Sequence, residues 1–153
     1  KIILLASHHP FQTYGAHGGY YGVPFFGSIY DAFRESFPSK QDVNHPLYKE
    51  MISKISGIFD KASNVIYVAG HDHGLQYIKS KNIQVVSGSG AKKKAVFKGR
   101  NSLFADAKPG YVIADLLLNK TLRISFYTQT DGSFHKVFTQ IIHKNASNQP
   151  GSK

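Results

Sequence analysis

Residues 65–69, VIYVA, form an unbroken apolar and largely β-branched run between Asn64 and Gly70. A run without in-out alternation fits a strand covered on both faces, as in a parallel or mixed sheet with other layers against it. Residues 1–7, KIILLAS, have the same character. Between them, residues 46–61 place Leu47, Tyr48, Met51, Ile52, Ile55, Ile58 and Phe59 on one helical stripe. Pro46 suits the first helical turn, with Asn44 or His45 as cap. Strand, long connection, helix, strand is the order of a β-α-β crossover, which predicts an α/β fold with the two strands parallel.

Beyond residue 69 only strand signals follow, at 83–86, 95–97, 111–118, 122–127 and 136–142, with hairpin turns at 119–121 (NKT) and 130–133 (TDGS). The mixed sheet is therefore expected to end in an antiparallel meander, over a core that includes Ile52, Ile55, Val65, Val68, Ile113 and Ile124. Residues 11–27 are broken by five glycines and a proline into a long loop, a length uncommon in a compact domain unless the loop lines a site. Residues 28–37 read as a short helix or an ordered loop. A chain of 153 residues holds one core, here assigned to 1–143 as one domain or part of one, and the breaker-rich 144–153 read as a linker or disordered tail.

Both apolar strands run into histidine. His8 and His9 follow the first, and His71 and His73 flank Asp72 after the second. In open α/β sheets ligands bind at the carboxyl ends of strands, and the ends of two neighbours lie about 5 Å apart. Histidines at i and i+2 in extended chain point the same way about 6–7 Å apart, a spacing that reaches two ions held roughly 3.5–4 Å from each other. The chain has no cysteine, which excludes disulfides, thiolate metal sites and thiol nucleophiles and leaves nitrogen and oxygen ligands.

The formal charge is +10, densest in AKKKAVFKGR at 91–100. An excess of this size attracts phosphate-bearing ligands, although no basic helix face or ribonucleoprotein-type aromatic motif is present and no nucleic-acid partner is expected. GSGAKKK lacks the spacing of a phosphate loop. The apolar opening run, 2–6, is too short to cross a membrane or to serve as a signal peptide.

GHDH at 70–73 with Leu75, Gln76 and Tyr77 after it, HHP at 8–10, and AHG at 16–18 together resemble the second half of the calcineurin-like metallophosphoesterases, of the purple and tartrate-resistant acid phosphatase type. In that branch a His-x-Pro segment is followed, nine residues after its first histidine, by His-Gly, and His8 to His17 keeps the interval. The segment VPFFGSIYDAFRESFPSKQDVNHPLYK further resembles a bacterial subgroup whose phosphoesterase domain can be fused to an outer-membrane barrel.

The resemblance implies the C-terminal half of a four-layer α/β/β/α sandwich and a phosphoric ester hydrolase. It implies two metal ions, of iron, zinc or manganese, in the complete domain. His8 and His71 would bind the more exchangeable ion and His73 the other, while His17 would contact substrate phosphate or assist the leaving group. Asp72 is not implied as a ligand. His9 falls at a variable position and is expected to pack or support, and His45, His135 and His143 have no counterpart. An exported, periplasmic or envelope location is implied.

The family's first half supplies Asp-x-His, a Gly-Asp segment with a bridging aspartate, and Gly-Asn-His, and none occurs here. Two adjacent dications need anionic oxygens to offset their repulsion, which neutral imidazoles do not provide. The expectation is a half-domain with an incomplete site, inactive by itself, whose partners are its missing N-terminal half, a phosphate ester and, by resemblance, a barrel domain. The alternative is a catalytically silent binding or accessory module of a larger envelope protein.

Overall fold

A computed structural model describes residues 2–20, 36–59, 61–62, 65–80 and 82–143. Its elements are β1 (Ile3–Ala6), a 3-10 turn (Ala16–Gly18), α1 (Pro46–Phe59), β2 (Val65–Ala69), β3 (Leu75–Lys79), β4 (Ile83–Ser87), β5 (Ser102–Asp106), β6 (Gly110–Leu116), β7 (Leu122–Thr130) and β8 (Ser133–Ile142). They form a five-stranded mixed sheet in the order β1-β2-β4-β3-β5 and a three-stranded antiparallel sheet, β6-β7-β8. The fold is α/β with a closing meander.

β1 and β2 are adjacent and parallel, Ile3 opposite Val65 and Ala6 opposite Val68. The crossover between them carries α1, as the sequence order predicts. β2 shows why its apolar run is unbroken. Val65, Tyr67 and Ala69 pack with Phe59 and Ile55 of α1 on one face, and Ile66 turns the other way into a core with Leu75, Tyr77, Val85, Leu122, Ile124 and Phe126. That second core joins the two sheets. Each fully buried aliphatic or aromatic side chain there contributes about 1.5–3 kcal/mol relative to exposure.

Several expectations are corrected. Ile3, Leu4 and Leu5 are 39–47% exposed, because β1 is the sheet's edge and pairs, among the described strands, with β2 alone. β3 and β5 were not expected from the sequence; β3 is buried at four of its five positions. Residues 95–97 form no strand, and only Val96 bridges to Gly15. Ile113 is exposed because it shares the outer face of β6 with Tyr111, while Val112 packs inward. Leu47 and Ile58 of the helical stripe are exposed as well. The expectations for 28–35 and for the tail at 144–153 lie outside the described residues.

Candidate metal centre at the strand ends

The ladder between β1 and β2 continues past the strands. The Ser7 N–H donates to the Val68 carbonyl at 2.9 Å and the Gly70 N–H to the His8 carbonyl at 3.1 Å, which brings His8 level with Gly70. The next residue, His71, has a φ of 61°, in the left-handed region that histidine enters more readily than most side chains. The chain thereby breaks out of the strand, and the 70–74 turn closes with the Asp72 N–H on the Gly70 carbonyl and the Gly74 N–H on the Asp72 carbonyl. Uncommon backbone of this kind clusters at functional sites.

His8 and His71 meet there. His8 Nε2 and His71 Nδ1 are 3.1 Å apart, and the rings of His9 and His17 lie 4.5 and 4.2 Å from that of His71. His73 lines the same open cleft of about 490 Å³, its Nδ1 at 3.2 Å from the Gly88 carbonyl oxygen. The structure therefore gathers all four predicted histidines, and adds His9. A nitrogen from each of His8, His9 and His71 lies within 4.8 Å of the other two. His45 instead accepts the Leu47 N–H at the start of α1, and His135 lies on β8.

The donor set fits one ion. Two nitrogens bound tetrahedrally at about 2.0–2.1 Å sit roughly 3.3–3.4 Å apart, close to the His8–His71 separation. His71 Nε2 lies 2.9 Å from the Gln41 carbonyl oxygen, which can only accept, so the hydrogen is on Nε2 and the Nδ1 lone pair faces His8. A carbonyl that fixes the distal N–H is the usual support of a metal-binding imidazole. Burial, followed by repulsion from neighbouring histidines, lowers the proton affinity of His9. For His71 burial dominates, opposed in part by the Gln41 carbonyl. Both effects favour neutral rings with lone pairs free to bind. Two ions fit less well: among the described residues no carboxylate joins His8, His9 and His71.

Asp72 faces away, fully buried, and accepts the Thr13 hydroxyl at 2.5 Å on one oxygen while the other has no hydrogen-bond partner among the described residues. Thr13 Oγ1 in turn accepts from Gln76 Nε2 at 2.8 Å and from the Gly15 N–H at 3.1 Å. Gly15 is required at that place, since a Cβ would stand 2.5–2.6 Å from the Asp72 carboxylate. The motif GHDHGLQ thus works on two sides: its histidines open to the cleft, and its Asp72 and Gln76 tie down the loop that leads to His17. The basic segment is tied to the same place. The Lys94 N–H donates to the His73 carbonyl at 2.8 Å, and Lys92, Lys93 and Lys94 are exposed.

No family model and no curated protein sequence matches the chain. Solved structures do. A purple acid phosphatase from yellow lupin (Lupinus luteus) seeds aligns over 90% of this chain and 24% of its own, with a TM-score of 0.55 and 15% identity. The fold is shared with a phosphatase. GAP50, the anchor in the inner membrane complex of Plasmodium, aligns over 94% of this chain and 37% of its own, with a TM-score of 0.50 and 21% identity. The chain thus spans 24–37% of the length of these structures, and identities this low establish a common fold alone.

Proposed function

We propose that this chain forms the histidine-bearing part of a metal-dependent phosphoric ester hydrolase site. The observation that carries the reading is the 3.1 Å approach of His8 Nε2 and His71 Nδ1 at the carboxyl ends of two adjacent parallel strands, with the His17 ring against His71. The resemblance of the GHDH, HHP and AHG segments and the shared fold with a purple acid phosphatase support it. His8 and His71 would hold one ion, with His9 able to complete its nitrogen set, and His73 would reach a second. A bound divalent ion of the iron, zinc or manganese kind would supply an activated water and polarise the ester's phosphoryl oxygen. His17, with its cleft-facing nitrogen protonated, would hold a phosphate oxygen or pass that proton to the leaving group, and the exposed lysines at 92–94 would draw anionic esters to the rim.

The carboxylates needed for two ions would come from an N-terminal half of the domain, completing a four-layer sandwich. The chain alone would then turn over no ester. A location in the exported compartment or envelope, next to a barrel domain, belongs to the same reading. Among the described residues no helix is long and apolar enough to cross a membrane, which says nothing of a β-barrel.

A second reading is a silent binding module. The lack of a carboxylate beside His8, His9 and His71 among the described residues favours it, as does the fold shared with a protein whose described role is that of an anchor. Cobalt or zinc titration followed by calorimetry, beside an assay with a chromogenic phosphate ester, separates the two. The expected result is one ion bound through His8 and His71, lost in His71→Ala, with hydrolysis appearing only when the N-terminal half is joined. A joined protein that binds metal and hydrolyses nothing establishes the silent module, and turnover by the chain alone refutes the half-site.

A further inference from the structure

The turn at 39–42, SKQD, touches two of the clustered histidines from outside the GHDH, HHP and AHG motifs. Asp42 is 4% exposed, and its Oδ1 lies 3.1 Å from His17 Nδ1. Its Oδ2 accepts the Ser39 N–H at 2.8 Å, and the Asp42 N–H returns to the Ser39 carbonyl at 2.9 Å. The His45 N–H donates to the Asp42 carbonyl and the Val43 N–H to the His17 carbonyl, both at 2.9 Å. The turn is therefore fixed to the start of α1 on one side and to the His17 backbone on the other. One residue earlier, the Gln41 carbonyl oxygen receives His71 Nε2 at 2.9 Å.

A backbone carbonyl and an ionised carboxylate accept hydrogen bonds and donate none, so the ring nitrogen facing each must carry the hydrogen. The two contacts fall on opposite nitrogens. We propose that the 39–42 turn is a tautomer clamp, with Asp42 as a positioning residue that holds His17 as the Nδ1–H form while the Gln41 carbonyl holds His71 as the Nε2–H form. His17 is thereby left with the Nε2 lone pair as its free acceptor in the cleft, and His71 with the Nδ1 lone pair toward His8. Free imidazole side chains in water favour the Nε2–H form, so the arrangement at His17 is one the protein must impose. The buried acceptor supplies the means, because a hydrogen bond to an ionised group is about twice as strong as a neutral one.

The inference rests on the phosphoesterase reading only for what the free nitrogens meet. The clamp itself is tested without ion or ester. In histidine-labelled protein above the ordinary histidine titration range, a long-range proton–nitrogen correlation spectrum distinguishes protonated from lone-pair nitrogens, with His17→Gln used to assign the signals. The expected spectrum shows a protonated Nδ1 on His17 and a protonated Nε2 on His71. Asp42→Asn keeps the shape but has one acceptor oxygen for two donors; with that oxygen on the Ser39 N–H its NH2 faces His17 Nδ1, which should move His17 toward the Nε2–H form and leave His71, held by a backbone carbonyl, unchanged.

A wild-type His17 in the Nε2–H form overturns the proposal, as does an Asp42→Asn spectrum identical to wild type in a variant shown to be folded by circular dichroism. If that variant fails to fold, the wild-type spectrum still decides. A protein with both expected tautomers that binds no metal keeps the clamp and loses the function proposed above.

Discussion

The oxygen of Thr13 shows how much one atom can carry at the residue scale. It donates to the buried Asp72 carboxylate and accepts from Gln76 and from the Gly15 N–H, so removing it strands three buried partners at once. A hydrogen bond to a charged group contributes about 1.5–3 kcal/mol, and leaving buried polar groups unmet costs more. Thr13→Val should therefore lower stability by about 3 kcal/mol or more in urea unfolding, whereas Thr13→Ser, which keeps the hydroxyl, should lose under about 1.5 kcal/mol. Equal losses in the two variants would show that the methyl group matters and the hydroxyl does not. None of this network could be read from the sequence, since Thr13 and Asp72 are 59 positions apart and no periodicity links them. His8, His71 and His73 were legible because they follow the two apolar strands, and His17 only through its interval from His8. His9 was not: strand alternation aims it away from His8, but both lie beyond the end of β1, where alternation no longer governs direction.

Among the elements, β2 and α1 were legible because each writes its period plainly, and β3 and β5 were not. LQYIK directly follows the histidine motif and reads as its continuation, and SLFAD is short and flanked by lysine, glycine and proline. β6 misled in a different way. Its alternation is real but apolar on both faces, so pattern alone could not tell that Val112 and not Ile113 faces inward. The difference is measurable. Phe126 on β7 is fully buried between the sheets, with Phe104 and Phe138 at ring distances of 4.9 and 5.7 Å, and Phe126→Ala should cost about 3–5 kcal/mol through lost burial and a cavity. Ile113→Ala, on a face that solvent already reaches, should cost less than about 1 kcal/mol. Comparable losses on thermal unfolding would mean that the outer face of β6 is covered in solution.

For the whole molecule, the shared core sets a limit on alkaline stability. Tyr77 is 1% exposed in the core between the sheets, and burial pushes its phenol up to about 12. The folded chain thus holds this proton more tightly than the unfolded one, whose phenol titrates near 10. Tyr77 contributes full stability below about pH 10, and that contribution is lost as pH rises toward 12. Melting temperature should fall across this window, and Tyr77→Phe, with nothing to ionise, should flatten the fall; an unchanged slope would assign alkaline unfolding to other groups. The exposed edge at β1 has a consequence of another kind. A strand that shows both its leucines and one row of backbone donors and acceptors is a template on which further chains can add. A net charge of +10 repels like molecules in dilute buffer, but roughly 0.1 M salt shortens the reach of that repulsion to about 10 Å. Colloidal stability then depends on ionic strength, and salt that leaves the fold intact brings the edges within reach of one another.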